Sequence, residues 1–88
     1  MRQNEEFFSQ EQELVLVYIA KRLAEARLVE QAFDRAGLDY LVEADTYRGG
    51  VIFVRDLIGA FFYVREADTE TARSTLRAGK WKPYEPGA

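Results

Sequence analysis

The sequence predicts a single α+β domain whose elements follow the order β-α-β-β-α. Two stretches show the 3.6-residue periodicity of amphipathic helices, short apolar runs of strand length lie around them, and glycines mark several of their ends. The 88 residues suffice for one small domain. A chain of this size buries only a little over roughly 60% of its unfolded surface, so it is marginally stable and usually needs a disulfide, a metal or association.

The first strand and the first helix lie in the N-terminal half. Residues 13–19 form a short β-branched apolar run between polar stretches, which is typical of a strand buried on both faces. From Lys21 onward, apolar residues recur along one side of a helix of about four turns. These residues are Ala26, Leu28, Val29, Ala32, Phe33 and Ala36. Gly37 is the expected C′ residue, because glycine adopts the left-handed conformation without a Cβ clash.

The second half begins with a strand that is expected over residues 38–46. The strongest turn signal of the chain follows at residues 47–50, which read Tyr-Arg-Gly-Gly. Residues 51–54 are predicted to be extended, and residues 60–64 are predicted to form an aromatic strand after a loop. Two pairings stay open for residues 51–54, since they either continue the second strand past a bulge or form a hairpin with residues 60–64.

The second helix is predicted to follow Asp68 or Thr69, either of which can cap its first amide groups, and to end at Gly79. With it, residues 13–80 make up a ferredoxin-like β-α-β-β-α(-β) sandwich. In this fold an antiparallel sheet carries two helices on one face.

Both ends of the chain are set apart from this domain. Residues 1–12 are rich in Glu and Gln and are expected to form a loosely held arm, or one that docks Phe7 and Phe8 onto the core. Residues 81–88 form a C-terminal tail whose start can add a short edge segment. A central strand is excluded there, because two prolines interrupt it.

Composition argues against several classes of function. The chain has no cysteine and no histidine, so it lacks disulfides, thiolate metal sites and the commonest general base. The 12 basic and 15 acidic residues are interspersed, without the basic stripe of a nucleic-acid-binding protein. No apolar run approaches the roughly 20 residues of a membrane helix, and no signal peptide is visible. We therefore expect a cytoplasmic protein that is not an enzyme, without a catalytic, cofactor or metal site and without a nucleic-acid or membrane partner.

Both halves carry short motifs that resemble those of a known family. They are Tyr18-x-Ala20, Glu25-Ala26-x-Leu28-Val29, Gly37-Leu38, Phe62-Tyr63-Val64 and Asp68-x-x-x-Ala72-x-x-x-Leu76. On these motifs the chain resembles the prokaryotic signal-transducing proteins, which are small bacterial domains of unknown function related in fold to the GlnB-like nitrogen-regulatory proteins. The resemblance implies a GlnB-like, ferredoxin-like fold and a role in signal transduction.

Two properties of those relatives do not carry over to this chain. Many members of the family have a cysteine-rich metal-binding extension, and this sequence has no cysteine. GlnB-like proteins bind nucleotides between subunits, but no glycine-plus-lysine phosphate motif is present here to carry that role.

The aromatic strand supplies the main candidate interaction site. Alternation places Phe61 and Tyr63 on one face and Phe62 and Val64 on the other. Two helices can cover only one face of the sheet, so the other exposes apolar side chains at about 25 cal/mol per Å². Such a patch marks an interaction site, for which we select Phe61, Tyr63 and Tyr18. The alternative is that Phe7, Phe8 or Trp81 of the same chain folds across this face. The expected partner is a second copy, in a dimer or trimer, or another protein.

A second hypothesis places a small anionic ligand near Tyr47, Arg48 and Arg55. Consecutive backbone amides beside an arginine can hold a phosphate, although Gly49-Gly50 serves a tight turn equally well. Stacking of nucleobases on the aromatic strand is a third possibility, and the acidic charge balance argues against it.

Overall fold

The computed structural model describes residues 1–8, 13–45 and 59–84. The predicted turn at 47–50 and the predicted strand at 51–54 lie outside these ranges. The described elements are β1 (Arg2–Gln3), a 3-10 helix (Glu5–Phe7), β2 (Leu14–Ala20), α1 (Leu23–Arg35), β3 (Tyr40–Asp45), β4 (Gly59–Arg65), a 3-10 helix (Glu66–Asp68) and α2 (Thr69–Ala78). The α+β class is confirmed.

The strands form one mixed sheet in the order β1-β3-β4-β2. β4 pairs antiparallel with both β2 and β3, whereas β1 runs parallel to the start of β3 with Arg2 opposite Tyr40. The predicted antiparallel sheet is therefore correct for three strands and wrong for β1. β1 could not be predicted from the sequence, because a strand of two residues is too short to show a periodic pattern. Its position beside β3 is fixed by a backbone hydrogen bond from Tyr40 N to Met1 O.

Both helices pack on one face of this sheet. The ring of Phe33 on α1 meets Tyr40 and Phe62 edge-to-face, with centroids 5.3 and 5.8 Å apart, a favourable geometry for aromatic pairs. Residues with no exposed surface fill the layer between helices and sheet: Val17, Val29, Phe33, Tyr40, Phe62, Val64, Ala72 and Leu76. One core therefore lies on this side of the sheet.

The buried stripe of α1 is narrower than predicted. Ala26, Val29 and Phe33 are buried as expected, but the side chain of Leu28 is 53% exposed. At 100° per residue, Leu28 lies about 130° around the helix from the centre of the buried stripe. Ala36 is exposed because it follows the last helical residue. The predicted end at Gly37 is confirmed by its positive φ of 74°.

Candidate interaction surface

The face of the sheet opposite the helices carries apolar side chains from β2 and β4. Strand register places Leu16 opposite Tyr63 and Ile19 opposite Phe61, and residues directly opposite each other share a face. Their neighbours in β4, Phe62 and Val64, point to the helices and are fully buried. We call the half-buried set on the helix-free side the apolar face: Leu14, Leu16, Ile19, Phe61 and Tyr63.

A β-bulge in β2 separates Tyr18 from this apolar face. The register shifts between Leu16 and Tyr18, so that Val17 is the extra residue and Tyr18 lies opposite Phe62 on the helix side. The hydroxyl of Tyr18 donates a 2.7 Å hydrogen bond to Oε2 of Glu25 in the first turn of α1. Of the three aromatic residues selected from the sequence, the structure brings Phe61 and Tyr63 together and places Tyr18 on the opposite face.

Two tyrosine hydroxyls attach α1 to the sheet. Tyr40 is fully buried, and its hydroxyl donates a 3.0 Å hydrogen bond to Oδ1 of Asp34. Burial, followed by the hydrogen bond to Asp34, raises the pKa of Tyr40, and burial with the bond to Glu25 raises the pKa of Tyr18. Both phenols therefore remain protonated donors at neutral pH, which is a structural role.

The N-terminal segment covers one end of the helix-free side. The guanidinium carbon of Arg65 lies 5.9 Å from the ring centroids of both Phe7 and Phe8. Phe8 is only 5% exposed, and so the segment set apart as an arm contributes a buried side chain as well as β1. Leu41, which lies opposite Tyr63 in the register, is also buried. In contrast, Trp81 packs against the core on the helix side.

Two charged side chains border the apolar face, Arg65 at the end of β4 and the exposed Glu43 of β3, which lies opposite Phe61. Arg65 is the only ionisable side chain other than tyrosine within β2 and β4. Its guanidinium donates to carboxylate oxygens of Asp39 and Asp68, each at 3.2 Å. The positive charge nearest the face is thereby paired within the chain.

The other end of the sheet contains the start of α1. Asp45 and Gly59 lie opposite each other there, so residues 46–58 connect two adjacent strand ends. A cavity of about 170 Å³ lies beside them, lined by Lys21, Arg22 and neighbouring apolar residues. Tyr47, Arg48 and Arg55, the predicted anion-binding residues, fall outside the described residues.

The sequence analysis did not identify Leu14, Leu16 and Ile19 as individual site residues. The run 14–19 is apolar at every position, so alternation alone does not show which side chains share a face with Phe61. A second omission is the groove of about 580 Å³ beside β3. It is formed with β1, for which the sequence gives no signal.

Comparison with known proteins gives no match among protein-family models, curated proteins or solved structures. The resemblance to the prokaryotic signal-transducing proteins thus depends on the sequence motifs and stays a prediction. Within residues 1–8, 13–45 and 59–84, no group of three or more His, Cys, Asp or Glu side chains is placed to hold a metal. Over the same ranges, no helix has the length and apolar character needed to cross a bilayer.

Proposed function

We propose that the chain is a non-enzymatic regulatory module that self-associates through the apolar face. The observation that carries this proposal is the contrast within β4. Phe62 and Val64 are fully buried under the helices, whereas Phe61 and Tyr63, on the other side of the same strand, are only half-buried. Together with the three apolar side chains of β2, they form a continuous uncharged surface, which is typical of an interaction site.

A second copy is the partner that this surface fits best. The five side chains of the face carry no charge that would repel their copies, Glu43 lies at its border, and two sheets pack face to face at about 10 Å through interdigitating side chains. A twofold pair brings the same patch of each protomer together, as in most homodimers.

The size of the face sets the expected strength of this pairing. If about a fifth of each side chain is accessible, burying two faces removes a few hundred Å² and contributes roughly 8–10 kcal/mol. Association itself costs about 4–15 kcal/mol in lost freedom of motion. We therefore expect a weak, concentration-dependent dimer rather than an obligate one.

The arrangement of β2, α1, β3, β4 and α2 supports a ferredoxin-like layout as part of this proposal. The order β3-β4-β2 with both helices on one face agrees with a β-α-β-β-α unit in which a last strand would pair with β2. The tail approaches that position, since Tyr84 N donates a 2.7 Å bond to Val17 O. A role in signal transduction is proposed from the family resemblance.

Sedimentation equilibrium over a range of protein concentrations tests self-association. The wild-type chain is expected to show a mass that rises above 10.2 kDa with concentration. Phe61→Lys should return the protein to monomer, because it places a charge in the centre of the face. The new lysine lies opposite Glu43, which favours folding of the variant.

Leu28→Lys is the matched control for this experiment. It makes the same change of charge at an exposed apolar side chain on the outer side of α1, and association should persist. A wild-type chain that stays at 10.2 kDa up to millimolar concentration would overturn the proposal. So would a folded Phe61→Lys variant, verified by circular dichroism, that associates as strongly as the control.

A second candidate function, a sensor of small anionic ligands, is favoured by the cations at the start of α1. Lys21 and Arg22 line the cavity there, where the first amides of a helix also favour an anion. A thermal-shift screen of nucleotides and phosphorylated metabolites tests it. A ligand whose stabilisation is lost in Lys21→Ala supports the sensor, and an absence of any shift removes it.

A further inference from the structure

The outer edge of β3 is only partly covered by β1. β1 pairs with Tyr40 and Leu41 and ends at Gln3, after which the chain enters the 3-10 helix Glu5–Phe7. β3 continues to Asp45, and among the described residues its last part, 43–45, pairs with β4 on the inner side. The ladder to β1 ends at the amide of Val42, since Gln3 lies opposite Leu41, and within the described ranges no strand pairs with the outer side of residues 43–45.

Some backbone groups of this second half point away from β4, to the outer side of the sheet. Tyr40 directs its amide outward, because its N–H donates to the carbonyl of Met1, the residue before β1. Successive residues of a strand direct their backbone groups alternately to the two sides, so Val42 and Ala44 also point outward. An exposed row of this kind is a template for pairing with another extended chain.

A groove of about 580 Å³ runs along this edge. Residues 2–5 line one wall and residues 41–43 line the other. The pairing with β1 shows that this edge of β3 accepts extended backbone. The groove lies where the chain leaves the edge after β1.

The uncompensated charge of the groove is negative. Glu5 and Glu43 are exposed, and neither forms an ion pair within the part of the chain that the structure describes. The single arginine in the walls, Arg2, is paired with Glu30 at 3.7 Å. Gln3 is likewise engaged, since its Nε2 donates to Oδ1 of Asp39 at 3.3 Å.

We propose that this edge binds an extended peptide segment of another protein that carries lysine or arginine. The segment adds a strand beside residues 42–45, bonds to the outward carbonyl of Val42 and to the outward N–H and C=O of Ala44, and places a cationic side chain opposite Glu43. A second copy fits less well, because pairing β3 with itself brings two Glu43 carboxylates onto the same short stretch of one sheet face. The edge points sideways out of the sheet, so this inference holds whether or not the chain self-associates through its apolar face.

Two synthetic peptides serve as probes. One is a fluorescein-labelled seven-residue peptide in which lysine alternates with valine, and the other has glutamate in place of lysine. Fluorescence anisotropy at low ionic strength should detect binding of the lysine peptide alone. Amide chemical shifts in NMR spectra of the full chain should change at residues 2–5 and 41–45.

Charge reversal separates the groove from the acidic surface as a whole. Glu43→Lys is expected to weaken binding of the lysine peptide by about three- to tenfold, since a cross-strand attraction becomes a repulsion. Glu66→Lys makes the same change of charge at an exposed residue in the 3-10 helix after β4 and should leave the affinity unchanged. Equal weakening by both variants would mean non-specific attraction and would overturn the proposal.

Strand addition is tested by blocking backbone bonds. A lysine peptide with alternate amides N-methylated should lose binding, as should Ala44→Pro, which removes one outward N–H. The methylated peptide gives the answer even where the proline variant does not fold. Unchanged binding of that peptide, or no binding of either original peptide, would overturn the proposal of strand addition.

Discussion

The buried hydroxyl of Tyr40 makes a specific prediction about stability in alkaline solution. Tyr40 has no exposed surface, and its hydroxyl donates to Asp34 at 3.0 Å. Burial and this bond raise the pKa of Tyr40 in the folded state, whereas a tyrosine of the unfolded chain titrates near its usual value of about 10. The folded chain therefore retains a proton that the unfolded chain releases above pH 10.

The size of the effect follows from proton linkage. The contribution of Tyr40 is fully present below about pH 10 and falls by about 1.4 kcal/mol for each pH unit above it. Between pH 9 and pH 11.5 the loss reaches about 2 kcal/mol, a large part of the 5–15 kcal/mol typical of a small domain. Tyr40→Phe removes this slope but also removes a hydrogen bond worth about 1 kcal/mol. The variant should thus be less stable at pH 8, and the difference should shrink and reverse near pH 11.

Urea unfolding followed by circular dichroism at several pH values measures this slope. Burial also raises the pKa of Tyr18, so its titration lowers stability over the same range, but this affects both proteins and cancels in the difference between them. Tyr84→Phe, at an exposed tyrosine, is the control for loss of a phenol group. Parallel stability curves for Tyr40→Phe and the wild type between pH 9.5 and 11.5 would refute the linkage reasoning.

Three further predictions concern the core, the end of α1 and the N-terminal segment. Phe62→Ala should lower the free energy of unfolding by about 3–5 kcal/mol, and Phe61→Ala by clearly less, in urea titrations; equal losses would contradict the assignment of faces. Gly37→Ala should lower it by about 1–2 kcal/mol, because φ is positive there and nothing lies near the added Cβ. Gly37→Asn should recover part of that loss, and equal stability of all three chains would count against a backbone cause. Arg65→Met should accelerate amide hydrogen exchange in residues 2–8, and unchanged protection would show that the segment is held by other contacts.

Part of this structure could be predicted from the sequence, because helices and strands impose regular local patterns on it. A 3.6-residue period placed Ala26, Val29 and Phe33 on the buried side of α1, and the glycine at 37 ended the helix in the left-handed conformation. The two-residue alternation of β4 assigned Phe61 and Phe62 to opposite faces. Such features depend on backbone geometry over one or two turns, which neighbouring residues determine.

The residues of the apolar face were harder to predict from the sequence. Alternation along β2 would place Tyr18 with Leu16, but the bulge at Val17 transfers Tyr18 to the helix side. Every residue from 14 to 19 is apolar, so the run contains no polar residue whose position would reveal the change of face at the bulge. The bulge is visible only once β2 is paired with β4.

Sequence alone determined the α+β class, the helix stripe and the apolar character of both sides of β4. Tertiary structure decided the parallel pairing of β1, the side on which Tyr18 lies, the cover that Phe8 gives to one end of the sheet, and the groove beside β3. The physical reason is the range of the interactions. Period and alternation are set within a few residues, whereas strand register and edge pairing depend on contacts between segments far apart in the chain.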